Sequence, residues 1–259
     1  MICGMILGWV ALGWQEASEK TLLDLGGGVK MEFVRIKAGK FTMGDKGDGP
    51  AHEVTISKDY WMQTTETTQA QWEAVMGENP SRFKGADRPV ERVSWEDCQE
   101  FLKKLNEKLA LRSSESEGGA KDQLKGKAAK LPTEAEWEYA CRAGEKGKWC
   151  FGDDEEKLGN YAWYNKNSDG KTHPVGQKKA NAWGLYDMHG NVFEWCEDWY
   201  GEYPSEAVTD PTGPAKGKYR CLRGGGWDSY GGGGTLSVYR RRFLPSYRDY
   251  DIGLRVALR

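Results

Sequence analysis

LPTEAEWEYACRAG, residues 131–144, is the stretch that decides the fold. Pro132 precedes Thr133, whose hydroxyl is placed to cap a helix, and Glu136 stands three residues on, where a carboxylate reaches back to the N–H of the cap. The spacing predicts a short helix ending before Gly144. Upstream, TTQAQWEAVMG (67–77) predicts a second helix, capped by Thr67 or Thr68, with Trp72, Val75 and Met76 on one face and Gly77 as its end. Ser94 and Asp97, with Trp95, Cys98, Phe101, Leu102 and Leu105 at helical spacing, predict a third that ends before Arg112. Apolar alternation from Val29 to Met43 reads as two strands with a turn at Ala38 and Gly39, and further strands follow at Glu53 to Ile56 and Tyr60 to Met62. Ser113 to Lys130 reads as a solvated loop. After Gly144, glycine, asparagine, aspartate and aromatic residues alternate without helical period. Helices early and short strands late describe a loop-rich α+β domain, and no fixed-period repeat points to a solenoid or propeller.

The chain has 259 residues and no second apolar centre, so one core is the expectation. A net charge of −2 supplies no basic field to hold a polyanion, which argues against nucleic acid as a partner. Twelve Trp and 34 Gly suit loops built on large aromatic anchors. None of the six cysteines has CxxC spacing and the three histidines stand apart from them, which leaves a structural zinc site unsupported. Buried free thiols are expected, with Cys141 and Cys150 a candidate bridge if the chain is exported. Met1 to Trp14 is apolar, too short for a membrane span and without the Lys or Arg of a signal n-region. It reads either as an export-signal remnant or as a packed N-terminal segment. Residues 1–24 are accordingly assigned to a leader and 25–259 to one domain, with export or surface display expected and the cytoplasm left open.

Seven separated segments carry a family resemblance together: FTMG (41–44), HEVTI (52–56), PVERVSWEDCQEF (89–101), LPTEAEWEYACRAG (131–144), NAWGLYDMHGNVFEW (181–195), RGGGW (223–227) and IGLR (252–255). In this order they resemble the formylglycine-generating-enzyme, or sulfatase-modifying-factor, family, which implies the C-type-lectin-like fold. The resemblance also implies two copper-binding thiolates shortly after RGG, as Cu(I) demands soft ligands. Here no cysteine follows Cys221, and Asp228, Ser229, Tyr230 and Gly231 to Gly234 fill that stretch. The family further implies a calcium loop at YDMHGNVFE, with carboxylates from Asp187 and Glu194 and backbone carbonyls from Gly190 and Val192. The same residues also read as a metal-free turn in which Asp187 and Asn191 satisfy loop amides. No cofactor is required, and structural Ca²⁺ is the one candidate.

From Asp228 onward the chain contains no Lys, Glu, Gln, Met or Trp, although these types make up roughly a third of what precedes. Those five are what codons ending in a pyrimidine cannot encode. With RGGGW and RRRFLPSYRDYDIGLR, this segment resembles the variable region of diversity-generating-retroelement proteins, which implies a changeable ligand-binding surface over 228–251. Its candidate residues are Asp228, Ser229, Tyr230, Tyr239, Arg241, Phe243, Leu244, Tyr247, Asp249, Tyr250 and Asp251, on a frame anchored by Trp227, Arg240, Arg248 and Arg255. If Ser237 to Phe243 is a strand, Tyr239, Arg241 and Phe243 share a face opposite Val238, Arg240 and Arg242. Tyr, Phe and Arg offer wide contact at limited rotamer cost. The expected function is non-enzymatic binding of a protein or cell-surface ligand, with oligomeric state open. Two other readings stand beside it: an enzyme using Asp228, Ser229, Tyr230 and His189 without copper, and a structural subunit. A blander account has the tyrosines packing the core.

Overall fold

A computed structural model describes residues 19–45, 49–115 and 123–259, with side chains described outside 111–122. Met1 to Trp14 and Cys3 lie outside the described residues. The elements are β1 (Lys20–Gly26), β2 (Val29–Ile36), β3 (Gly39–Asp45), β4 (Gly49–Ile56), β5 (Tyr60–Gln63), α1 (Gln69–Met76), α2 (Trp95–Glu115), β6 (Ala129–Lys130), α3 (Glu134–Arg142), β7 (Phe193–Trp199), β8 (Val208–Thr209), β9 (Arg220–Arg223), β10 (Arg241–Phe243), β11 (Ile252–Gly253) and β12 (Ala257–Leu258). They form sheets ordered β1-β2-β5-β12-β6, β10-β9-β7-β11 and β3-β4-β8. Thus β12, which follows the segment 228–251, lies between β5 and β6 and pairs antiparallel with both. No helix among the described residues is long and apolar enough to cross a membrane.

Local signals explain the helices. Thr68 and Thr133 each form a complete capping box, with Gln71 and Glu136 as the returning side chains, and Gly77 closes α1 in the left-handed conformation. Successive strand residues face opposite layers. Trp61, Trp195, Leu222 and Leu258 pack with α1 and α2, while their neighbours Met62, Cys196, Cys221 and Ala257 pack with α3.

Three expectations need correction. Lys20 to Asp24, assigned to the leader, belong to strand β1, which pairs with β2. Helix α2 continues to Glu115, and the stretch read as a solvated loop also contains buried Leu124 and the paired strand β6. The strand expected at Ser237 to Phe243 is confined to Arg241–Phe243. The expected free thiols are found in all five described cysteines, and the candidate pair Cys141 and Cys150 is not bridged: Cys141 Sγ lies 3.8 Å from His189 Nε2, and the Cys150 N–H donates to that same nitrogen.

Every residue of α3 is buried, including the three carboxylates Glu134, Glu136 and Glu138. Glu134 takes two hydrogen bonds from Arg240, at 2.6 and 2.7 Å, and Glu138 is paired with both Arg142 and Arg223. The guanidinium of Arg240 beside Glu134 holds that carboxyl below its ordinary value against the opposing cost of burial. Breaking a buried pair by removing one partner costs about 3–5 kcal/mol. Glu134→Ala is therefore expected to destabilise the chain by about that amount in urea unfolding at neutral pH, and a loss under about 1 kcal/mol would contradict the account.

Candidate ligand-binding surface

The rest of the chain grips the segment 228–251 by its main chain. Arg223, fully buried at the end of β9, donates Nη1 to the carbonyls of Val238 and Tyr239 at 2.7 Å and Nη2 to that of Ser237 at 3.0 Å. Trp227 Nε1 donates to the Tyr250 carbonyl, the Arg92 N–H to that of Asp249, the Glu96 N–H to that of Pro245 and the Asn165 N–H to that of Ser229. The Phe193 N–H donates to the Asp251 carbonyl at 2.7 Å. Backbone carbonyls are present whatever side chain a residue carries. The path of the segment is therefore held by bonds that substitution leaves in place.

Side chains of the segment divide as strand alternation predicts. Arg240 and Arg242 turn to Tyr200, at 4.3 and 4.5 Å from its ring, while Arg241 turns the other way to Phe193 and Phe243. Tyr239 also approaches Phe193, with centroids 6.2 Å apart, and Phe243 stacks on Tyr247 at 4.2 Å. Tyr230 is 89% exposed and Leu244 45%. Asp228 is exposed, and Tyr239, Arg241, Phe243, Tyr247, Asp249 and Tyr250 are half-buried. None of the candidate aromatic residues is locked in the interior.

Two candidates are not free to meet a ligand. Ser229 is buried, and its Oγ accepts the Gly226 N–H at 2.9 Å to close a turn. Asp251 is 2% exposed and paired with Arg241 at 2.8 Å, so it orients that guanidinium rather than touching a partner directly. Of the expected anchors, Arg240 and Arg255 are buried, whereas Arg248 is an exposed residue paired with Asp97.

The enzymatic constellation does not assemble. His189 donates from Nδ1 to the Thr235 carbonyl at 2.8 Å and accepts the Cys150 N–H at Nε2, so both nitrogens are engaged. Burial lowers its pKa to about 4. Ser229 bonds backbone instead of this imidazole.

The residues of the calcium loop do not fit the ion. Both oxygens of Glu194 are taken, by the Arg255 guanidinium at 2.7–3.1 Å and by Trp137 Nε1 at 2.6 Å, so a protein cation already balances this carboxylate. The Val192 N–H and the Asn191 amide donate to Glu66, and Asp187 Oδ2 accepts the Gly176 N–H. Asp187 Oδ1 alone is left buried without a partner. Calcium takes six to eight oxygens, and of the four carboxylate oxygens of Asp187 and Glu194 three already accept protein hydrogen bonds. Gly190 has a steric reason to be glycine: at φ 104°, an added Cβ would meet the Trp163 carbonyl oxygen.

Sequence reasoning missed Phe83 and Arg82, in the turn after α1. The Phe83 ring meets Trp227 edge-on at 5.6 Å and Tyr250 at 6.4 Å, and the Arg82 guanidinium lies 5.1 Å from the Tyr250 ring centre. Nothing local to SRF distinguishes it from any polar turn.

Comparison with known proteins agrees with this architecture. Residues 28–259 match the profile of the sulfatase-modifying factor enzyme 1-like domain. Treponema denticola variable protein 1 superposes with a TM-score of 0.83 at 35% identity, covering 93% of this chain and 99% of that one. The chaperone protein LppX of Paenibacillus barcinonensis is 33% identical over 88% of this chain and 89% of its own length. The formylglycine-generating enzyme of Streptomyces coelicolor is 32% identical over 61% of this chain, and the match spans about half of that enzyme, 52% of its length.

Two expected outcomes follow from this geometry. Tyr230→Ala should leave stability within about 0.5 kcal/mol of the parent, whereas Tyr239→Ala, which strips a ring packed on the core, should cost more; equal losses in thermal unfolding would contradict the division. Burial pushes the Asp251 carboxyl up to about 6 against the opposing pull of Arg241. Because that folded-state value lies above the unfolded one, its contribution to stability is complete below about pH 4 and is lost as pH rises through about 6. Carboxyl ¹³C titration should place its midpoint near 6, and a midpoint at or below 4 would refute the burial.

Proposed function

We propose that this chain, which belongs to the sulfatase-modifying factor enzyme 1-like family, is a non-enzymatic ligand-binding protein whose recognition surface is the variable segment 228–251. One observation carries the reading: scaffold donors hold the segment through carbonyls of Ser229, Ser237, Val238, Tyr239, Pro245, Asp249, Tyr250 and Asp251. Side chains above such a frame can change without loss of its path, as diversification requires. The exposed or half-buried Tyr230, Tyr239, Phe243, Leu244, Tyr247 and Tyr250 supply the aromatic and aliphatic area that recognition surfaces favour. Likeness to a protein described as a variable protein supports the same reading.

Similarity to a formylglycine-generating enzyme favours a second reading, catalysis by a copper-independent route. The sequence has no cysteine after Cys221, and Cys221 is buried, with its thiol donating to Glu134 and its pKa pushed upward by burial. That is the opposite of an activated thiolate. Oxidation of a cysteine-containing peptide above background, with or without added copper, would reverse the order of the two readings.

The binding reading is tested by display. A library randomised at Tyr230, Tyr239, Phe243, Leu244, Tyr247 and Tyr250 should retain cooperative unfolding in most members and yield binders to a soluble protein chosen in advance. Widespread loss of folding, or no binder after repeated selection, would sink it.

A further inference from the structure

The inference rests on the ligand-binding reading above and adds the chemistry of the partner. Arg82 and Phe83 stand outside the variable segment, yet they border its aromatic centre. Their turn is firmly built: Asn79 Oδ1 accepts the Ser81 N–H, Ser81 Oγ accepts the Glu91 N–H, and the Phe83 N–H donates to the buried Glu91 carboxylate at 2.7 Å. Phe83, Trp227 and Tyr250 consequently form one aromatic wall, over which the Arg82 guanidinium lies 5.1 Å from Tyr250 and 5.4 Å from Phe83.

What sets Arg82 apart is charge. It is exposed, and among the described residues no carboxylate lies within ion-pair distance of it. The same is true of exposed Arg92, whose backbone N–H holds the Asp249 carbonyl from the same edge. Other arginines of this face are paired, Arg241 with Asp251 and Arg248 with Asp97. Asp249 already has its oxygens engaged, accepting the Tyr247 hydroxyl at 2.7 Å and the Tyr250 N–H at 2.9 Å. A guanidinium resting on aromatic faces keeps its in-plane donors available, in the fork that matches a carboxylate.

We propose that the Arg82–Phe83 turn is a fixed wall of the binding site and that the partner is an acidic protein segment, presenting an Asp or Glu carboxylate to Arg82 beside an apolar or aromatic side chain laid on Phe83, Trp227 and Tyr250. The turn lies before the variable segment, so a diversified copy keeps Arg82, Phe83 and Trp227, while Tyr250 is free to change. Variation then tunes the remainder of the contact around one constant feature.

The test is NMR titration of the full chain with a blocked peptide of alternating Glu and Tyr, its Lys and Tyr counterpart, a sulfated oligosaccharide and a single-stranded oligonucleotide. The acidic peptide should shift the Arg82 Nε–H and Trp227 indole signals and bind at least tenfold more tightly than the basic one. Arg82→Ala should weaken it about tenfold, Arg82→Lys should restore only part, and Lys40→Ala, in a separate sheet, should change nothing. Each variant replaces an exposed side chain, and its melting curve verifies that it folds. Equal binding by Arg82→Ala, preference for the basic peptide, preference for the saccharide or oligonucleotide, or no binding of the acidic peptide would each overturn the proposal. The display experiment reads the parent function separately, since it scores binders to an arbitrary target and leaves Arg82 unchanged.

Discussion

Two carboxylates on one buried helix face bear the arrangement of the whole second half. Glu134 and Glu138, one turn apart on α3, meet Arg240 and Arg223, and Arg223 in turn donates to three consecutive carbonyls of the segment that follows β9. Buried charge is costly unless it is paired and hydrogen-bonded, and here each guanidinium has both kinds of partner. The result is a fixed point in a region with little regular structure of its own. Without it, the carbonyls of Ser237 to Tyr239 would have neither a strand ladder nor a helix to satisfy them.

The second polar centre works by the same chemistry. Glu194 joins α3, through Trp137, to Arg255, which also reaches the carbonyls of Gln63 and Tyr186. In the YDMHGNVFE loop the Glu194 carboxylate is balanced by an internal cation. Guanidinium and carboxylate are both covalently tethered here, so the junction does not depend on ion supply.

The legible parts of the sequence were those with local cause. The two capping boxes, Gly77 and the alternation from Val29 to Met43 are written in neighbouring residues, and each element stands where that chemistry puts it. Strand β1 was hidden because the apolar run before it invited a boundary, although buried Leu23 and Leu25 already alternate with polar neighbours. The contraction of the Ser237 to Phe243 strand is a tertiary effect, since Arg223 claims carbonyls that a ladder would have used. Exposed Tyr230 and buried Ser229 are adjacent, and only the turn closed by Gly226 decides which faces water. Phe83 and Arg82 meet Tyr250 across a long stretch of chain, a juxtaposition that no local pattern encodes.

The position of β12 ties variation to integrity. It lies between β5 and β6, downstream of every changeable position, and Arg255 just ahead of it completes the Glu194 junction. A frameshift or premature stop anywhere from Asp228 to Asp251 thus deletes an interior strand as well as the exposed side chains of that segment. Such copies would lose a strand that the largest sheet is built around, so the architecture tolerates substitution in this segment and rejects interruption.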